Sequence, residues 1–152
     1  MLSGIDPSLM APPINVLRVT LHPGGLARRI ANLVQWRTHL LSRLRRQIEV
    51  SADPVLNDLF NELDSYPVQT ANRQNAPVEI DYAGVAVPFQ FLTSHGILTF
   101  LSTTTVFGTP VDITLSEVAL ESFFPADTAT SQFLGQIFKR QAESNQNPIS
   151  RL

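Results

Sequence analysis

From Leu26 onward apolar residues recur at Ile30, Leu33, Val34, Leu40, Leu41, Leu44 and Ile48, the three-and-four spacing of one helix face, so a long helix is predicted over residues 26–48 with arginines on its far side. A second helix follows after a short break. Asp53 suits an N-cap, Pro54 suits the first helical position, and Val55, Leu56, Leu59, Phe60 and Leu63 supply a buried stripe. Two helices joined this tightly are expected to pack as a hairpin. Ahead of them INVLRVTLH alternates well enough for a short strand or a helical turn, ended by Pro23-Gly24-Gly25.

Downstream the period changes. Residues 65–77 are polar and read as an exposed loop. Val85, Val87, Phe89 and Phe91 then share one face of a strand, which Pro88 confines to a sheet edge or a bulge, and Ser94-His95-Gly96 turns the chain into a second strand over residues 97–106. That run holds five Thr or Ser residues and no Gly or Pro. Residues 107–116 read as a connector. Val118, Leu120, Phe123 and Phe124 fit a third strand or a short helix, and the strand is the reading adopted. Asp127 or Thr128 is then placed to cap a last helix with Phe133, Leu134, Ile137 and Phe138 inward. The predicted class is α+β: an antiparallel sheet with a packed helical hairpin and a C-terminal helix. Three prolines loosen residues 1–13, the folded domain is expected over 14–142, and 143–152 reads as a flexible tail.

Composition narrows the function. At 152 residues, 43% hydrophobic and 16% charged, the chain is long enough for one domain with a real core. Lacking cysteine, it has no disulfide and no thiolate chemistry. The N-terminus lacks the pattern of a signal peptide and no apolar run reaches the ~20 residues of a membrane span, so a cytoplasmic location is expected. The net charge of −2 hides a segregation: Arg18, Arg28, Arg29, Arg37, Arg43, Arg45 and Arg46 fall in a stretch with no acid, while residues 49–127 carry eleven carboxylates against Arg73. Such an arrangement serves either a basic face for nucleic acid or two halves that attract each other in one fold.

Catalytic constellations are missing. His22, His39 and His95 have no ligand spacing, no Gly-x-Ser-x-Gly elbow occurs, and Pro23-Gly24-Gly25 lacks the pattern of a phosphate loop, so no enzyme, metal or cofactor is expected. The alternation of threonines with Leu98, Phe100 and Val106 admits two registers. If Thr99, Thr103 and Thr105 point inward they place hydroxyls in an apolar cavity; if outward they are surface strand formers.

The segments NVLRVTLHPGGLARRIANLVQWRTHLLSRLRRQ, DPVLNDLFNELDSYP and FLSTTTVFGTPVDITLSEVALESFFPAD, in this order and spacing, resemble the MmyB-like ligand-binding domain of Xre-type helix-turn-helix bacterial transcription regulators. The resemblance implies a PAS-like fold with a pocket between helix and sheet for a small apolar, fatty-acid-like ligand, a homodimer, and DNA contact through a helix-turn-helix domain that this chain lacks. It also implies that the first PAS strands are missing, leaving a sheet edge open to pairing with another chain. The candidate ligand contacts are Leu33, Trp36, Arg37, Leu40, Phe91, Phe100 and Thr103, with Arg37 as the partner of a ligand carboxylate because a guanidinium forks onto two oxygens. A ligand-free dimerisation or interaction module is the competing expectation.

Overall fold

A computed structural model describes residues 4–68, 87–106 and 119–145. The first helix, α1 (Val16–Leu21), opens where the Asn15 side chain accepts a hydrogen bond from the Arg18 amide at 3.1 Å, which resolves the strand-or-helix choice for this segment. After it the chain folds back so tightly that the Leu26 amide donates to the Val19 carbonyl at 2.8 Å. A short 3₁₀ turn follows at Ala27–Arg29.

The long helix α2 spans Leu33–Ser51 and starts seven residues later than its apolar period suggests. The cause is a tertiary demand on the preceding backbone. Ile30 forms an antiparallel bridge with Phe91, and the Ala31 amide donates to the Gln90 carbonyl at 2.8 Å. The buried Asn32 side chain then donates to the Pro88 carbonyl at 2.8 Å and accepts from the Gln90 amide at 3.2 Å. The Ala31 amide, paired this way, cannot join a helical ladder, which opens only where the Asn32 carbonyl accepts from the Trp36 amide. At its other end α2 stops on Ala52, in the left-handed region at φ 52°, whose amide donates to Ile48.

Helix α3 (Pro54–Ser65) begins where the pattern predicts: the Asp53 carboxylate accepts from the Val55 amide at 2.8 Å and Pro54 occupies the first turn. Helices α2 and α3 pack as a hairpin. Leu33, Trp36, Leu40 and Leu44 meet Leu59 and Leu63, with Leu21, Ala27 and Ile30 closing the cluster and Val87 and Phe89 packed against it.

Strands β1 (Phe89–Thr93), β2 (Gly96–Val106) and β3 (Ala119–Pro125) form an antiparallel sheet in the order β1-β2-β3. Among the described strands β1 stands at the edge expected for the Pro88 strand, with Ile30 and Ala31 paired to it, and Val85 lies outside the described residues. The β3 strand is present, with Phe100 opposite Pro125, Ser102 opposite Phe123 and Thr104 opposite Glu121.

The chain divides into two compact units, Met1–Gly96 and Ile97–Leu152. In the second, α4 (Thr128–Asn145) is capped by Asp127, whose carboxylate accepts from the Thr130 amide at 2.7 Å. Thr130 is wholly buried and its hydroxyl accepts from the Thr99 amide at 2.9 Å, so a hydroxyl rather than a phenyl ring seats the helix on β2. Phe133, Leu134 and Ile137 are half-buried, but Phe138 is 67% exposed, contrary to the inward stripe of four. At 100° per residue Phe138 sits roughly 80° from Thr130, on the far side from Phe133, and leaves the face that Thr130 defines.

Candidate functional site

The core face of α2 carries Leu33, Trp36 and Leu40, all buried. Trp36, only 3% exposed, lies 5.1 Å from the Phe89 ring and stacks at 5.5 Å on the half-buried His39. Phe89 in turn stacks on Phe91 at 5.8 Å, and the Arg29 guanidinium sits 4.5 Å above the Phe91 ring. The first unit thus joins Leu33, Trp36 and Leu40 to β1, with Phe91 one ring further along. Trp36 Nε1 is buried and has no hydrogen-bond partner among the described residues.

Arg37 projects from a different side of α2. Its terminal nitrogen donates to the Leu63 carbonyl at 3.4 Å, to the Asp64 carbonyl, and to the Asp64 carboxylate at 3.1 Å, tying the C-terminus of α3 to α2. Its Nε is buried without a partner among the described residues. Phe100 and Thr103 belong to the second unit, where Phe100 is half-buried and Thr103 exposed. Thr99 is buried, so the threonine row of β2 has one inward and one outward member on the same face and does not line a cavity as a set.

A cleft of about 340 Å³ lies between α2 and α3. Val34, Arg37, Thr38, Leu41, Ser42 and Arg45 line it from α2; Phe60, Asp64 and Val68 line it from α3 and the residues just beyond. The Arg45 guanidinium lies 5.0 Å from the centre of the Phe60 ring. Thr38 and Ser42 direct their hydroxyl protons to the carbonyls of Val34 and His39, so toward a ligand they offer only lone pairs. Sequence reasoning assigned Val34 and Leu41 to the core stripe and did not single out this cleft. The available signal was the doubling of apolar positions at 33/34 and 40/41, a stripe too wide for one packing face.

The segregated charges meet within the first unit. Arg18 forks onto Glu62, with Nε donating at 2.8 and 3.1 Å and a terminal nitrogen at 2.7 Å, and the Tyr66 hydroxyl donates to the same carboxylate. These bonds, Arg18 first and Tyr66 next, hold the Glu62 carboxyl below its usual range. Burial, and then the bond to Glu62, pushes Tyr66 up to about 12. His22 packs edge-on against Tyr66 at 4.9 Å. Together with Arg37 and Asp64, these contacts favour the reading in which the two charge blocks attract each other in one fold. Among the described residues no group of histidines and carboxylates is placed to hold a metal, and no helix is long and apolar enough to cross a membrane.

A family model described as MmyB-like transcription regulator ligand binding domain matches residues 1–137. No curated protein and no solved structure matches the chain.

Proposed function

The chain belongs to the MmyB-like transcription regulator ligand binding domain family, and from that premise we propose that it senses a small apolar ligand of fatty-acid-like chemistry. The family is one of binding domains, not of enzymes. The observation that carries the reading is the buried Trp36 Nε1, a donor without a partner among the described residues, within a wall of Leu33, Leu40, Phe89 and Phe91. Leaving a buried N–H unpaired costs about 1–3 kcal/mol, and an acceptor on a bound ligand offsets that cost. Arg37 is the proposed carboxylate partner. Its terminal nitrogen is held by the end of α3, while its Nε retains an unused donor. Phe100 and Thr103 are carried as candidates in the second unit, each to be tested by its own substitution.

Self-association is part of the proposal, and DNA contact is assigned to a helix-turn-helix domain of such regulators. Leu120, Phe123 and Phe124 are all about half exposed on β3, which is an edge strand among the described residues. An exposed apolar edge invites pairing with another chain, although Glu121 places one charge on this one. The same observation favours the second reading, a dimerisation module that takes no ligand.

Native mass spectrometry of gently purified protein, followed by denaturing analysis of whatever small molecule is released, separates the two. A dimer carrying a stoichiometric apolar acid is expected. A dimer with no ligand, unchanged by added octanoate, overturns the sensor reading in favour of the module.

A further inference from the structure

His22 ends α1, and its ring closes the turn that follows: Nδ1 accepts a hydrogen bond from the Gly24 amide at 2.9 Å. A ring nitrogen that accepts carries no proton, so the imidazole is neutral with its hydrogen on Nε2. The turn held this way docks the segment ahead of α1, because the Asp6 amide donates to the Gly24 carbonyl at 2.8 Å. Asp6 in turn caps a 3₁₀ turn at Pro7–Met10, its carboxylate accepting from the Ser8 amide at 2.9 Å and the Ser8 hydroxyl at 2.8 Å. A Cβ added at Gly24 would meet His22 Nδ1 at 3.2 Å and the Asp6 Cβ at 3.3 Å, so the imidazole and the Asp6 side chain flank the same side of that residue.

Protonation cannot leave this arrangement intact. Once Nδ1 carries a proton it has no lone pair for the Gly24 amide, and two donors face each other. The charged groups around the ring then decide where the cation turns. Asp6 faces it from the N-terminal segment and Glu62 from α3, and both interact with it electrostatically. Bonds from Ser8 hold the Asp6 carboxyl below its ordinary 3.8, and bonds from Arg18 and Tyr66 hold Glu62 below its ordinary 4.5, so both are ionised where a histidine titrates. Arg18, one turn back on α1, is the like charge, compensated by its fork onto Glu62. Tyr66 presents its ring edge-on at 4.9 Å and gives its hydroxyl proton to Glu62. Glu62 is thus engaged by two residues, whereas Asp6 is exposed and held by one serine, which makes Asp6 the carboxylate that the cation can recruit.

We propose that His22 and Asp6 form a proton-controlled latch on the segment ahead of α1. With the ring neutral, His22 holds Gly24 and Asp6 holds Ser8. With the ring protonated, the imidazolium releases Gly24 and draws the Asp6 carboxylate away from Ser8, loosening residues 6–10 from the turn. Loss of the Gly24 bond and gain of the carboxylate oppose each other in energy, so the exchange is a local rearrangement rather than a change in the urea midpoint.

The test is nuclear magnetic resonance of the full chain between about pH 8 and about pH 5, the range in which histidines titrate. At the upper limit the His22 ring is expected as the Nε2–H tautomer. On acidification the Gly24 and Ser8 amides are expected to shift with the midpoint of the His22 ring, and Gly24 to lose about tenfold or more of its exchange protection. His22→Gln is expected to abolish both responses, while unchanged protection at Leu59 and Leu63 in α3 verifies the fold of the variant. Asp6→Asn is expected to retain the Gly24 response and abolish that of Ser8, because an uncharged amide offers the imidazolium no counter-charge. An Nδ1–H ring at the upper limit overturns the latch, as does a His22 ring that titrates with no response at Gly24, or a Gly24 response that survives His22→Gln. A Ser8 response that survives Asp6→Asn overturns it too, since the segment is then released without Asp6.

Discussion

At Gly25 a single missing atom permits the packing around α1. A Cβ there would lie 2.1 Å from the Val19 carbonyl oxygen and 3.0 Å from its carbon, distances that no side-chain rotation can relieve because the opposing atoms are backbone. The same carbonyl accepts from the Leu26 amide, so the turn cannot move away without losing that bond. Gly25→Ala is expected to destabilise the chain by roughly 2–4 kcal/mol, read as a lowered urea midpoint with an unchanged slope. Gly135 supplies the opposite case. It sits inside α4 with open space around the position of an added Cβ, so Gly135→Ala is expected to raise stability by up to about 1 kcal/mol in the same assay. A loss at residue 135 equal to that at residue 25 would refute this account of both.

At the level of elements, Asn32 decides where α2 begins and holds that start against β1. Its amide satisfies the Pro88 carbonyl and the Gln90 amide, and it is almost fully buried. Asn32→Ala removes both bonds and leaves two backbone groups unpaired in the interior. Each such orphan costs about 1–3 kcal/mol, so a loss of roughly 2–5 kcal/mol is expected, accompanied by faster amide exchange at Gln90 and Ala31. Retained protection at those amides would show that β1 is held by other contacts. The period of apolar residues was legible here but its start was not. Leu26, Ala27 and Ile30 satisfy a helical pattern equally well as a turn, a 3₁₀ segment and a bridge residue, because all of these bury the same side chains. The cap of α3, by contrast, was legible to the residue and that of α4 to within one, Asp127 or Thr128. Asp53 and Asp127 act through bonds two and three residues along the chain, and local chemistry needs no tertiary partner.

Across the whole molecule, stability should follow pH through a few identifiable groups. Glu62 titrates below its ordinary 4.5 in the folded chain, chiefly through Arg18, and Asp127 below 3.8, where burial opposes the shift but the bonds from Thr130, Thr99 and Ala129 together outweigh it. A depressed carboxyl contributes stability above its unfolded value, and that contribution is lost as pH falls through the folded one. Tyr66 behaves in the reverse sense. Its folded value of about 12 exceeds the ordinary 10, so its contribution is complete below pH 10 and is lost between 10 and about 12. The urea midpoint is therefore expected to be level between these limits, to fall below pH 4.5, and to fall again above pH 10. Tyr66→Phe should diminish the alkaline decline and reduce the acid one only in part, because Arg18 still holds the Glu62 carboxyl down. An unchanged alkaline limb in that variant would assign the decline to other groups.

What the sequence determined by itself was whatever depends on neighbours along the chain: the helical period of α2 and α3, the cap at Asp53 and that of α4 to within one residue, the β-rich run of β2, and motifs specific enough to identify the family. The candidate site was only partly legible. Leu33, Trp36 and Leu40 share a face because helical spacing puts them there, and Arg37 stands apart because one residue is about 100° of rotation. Tertiary structure alone decided the rest. Burial against β1 fixed the start of α2, the depth of Thr130 set the rotation of α4 and left Phe138 exposed, and the approach of α3 to α2 turned Leu41, Phe60 and Arg45 into the walls of one cleft. Such features depend on surfaces brought together from distant segments, and a one-dimensional pattern records that a face is apolar without recording what covers it.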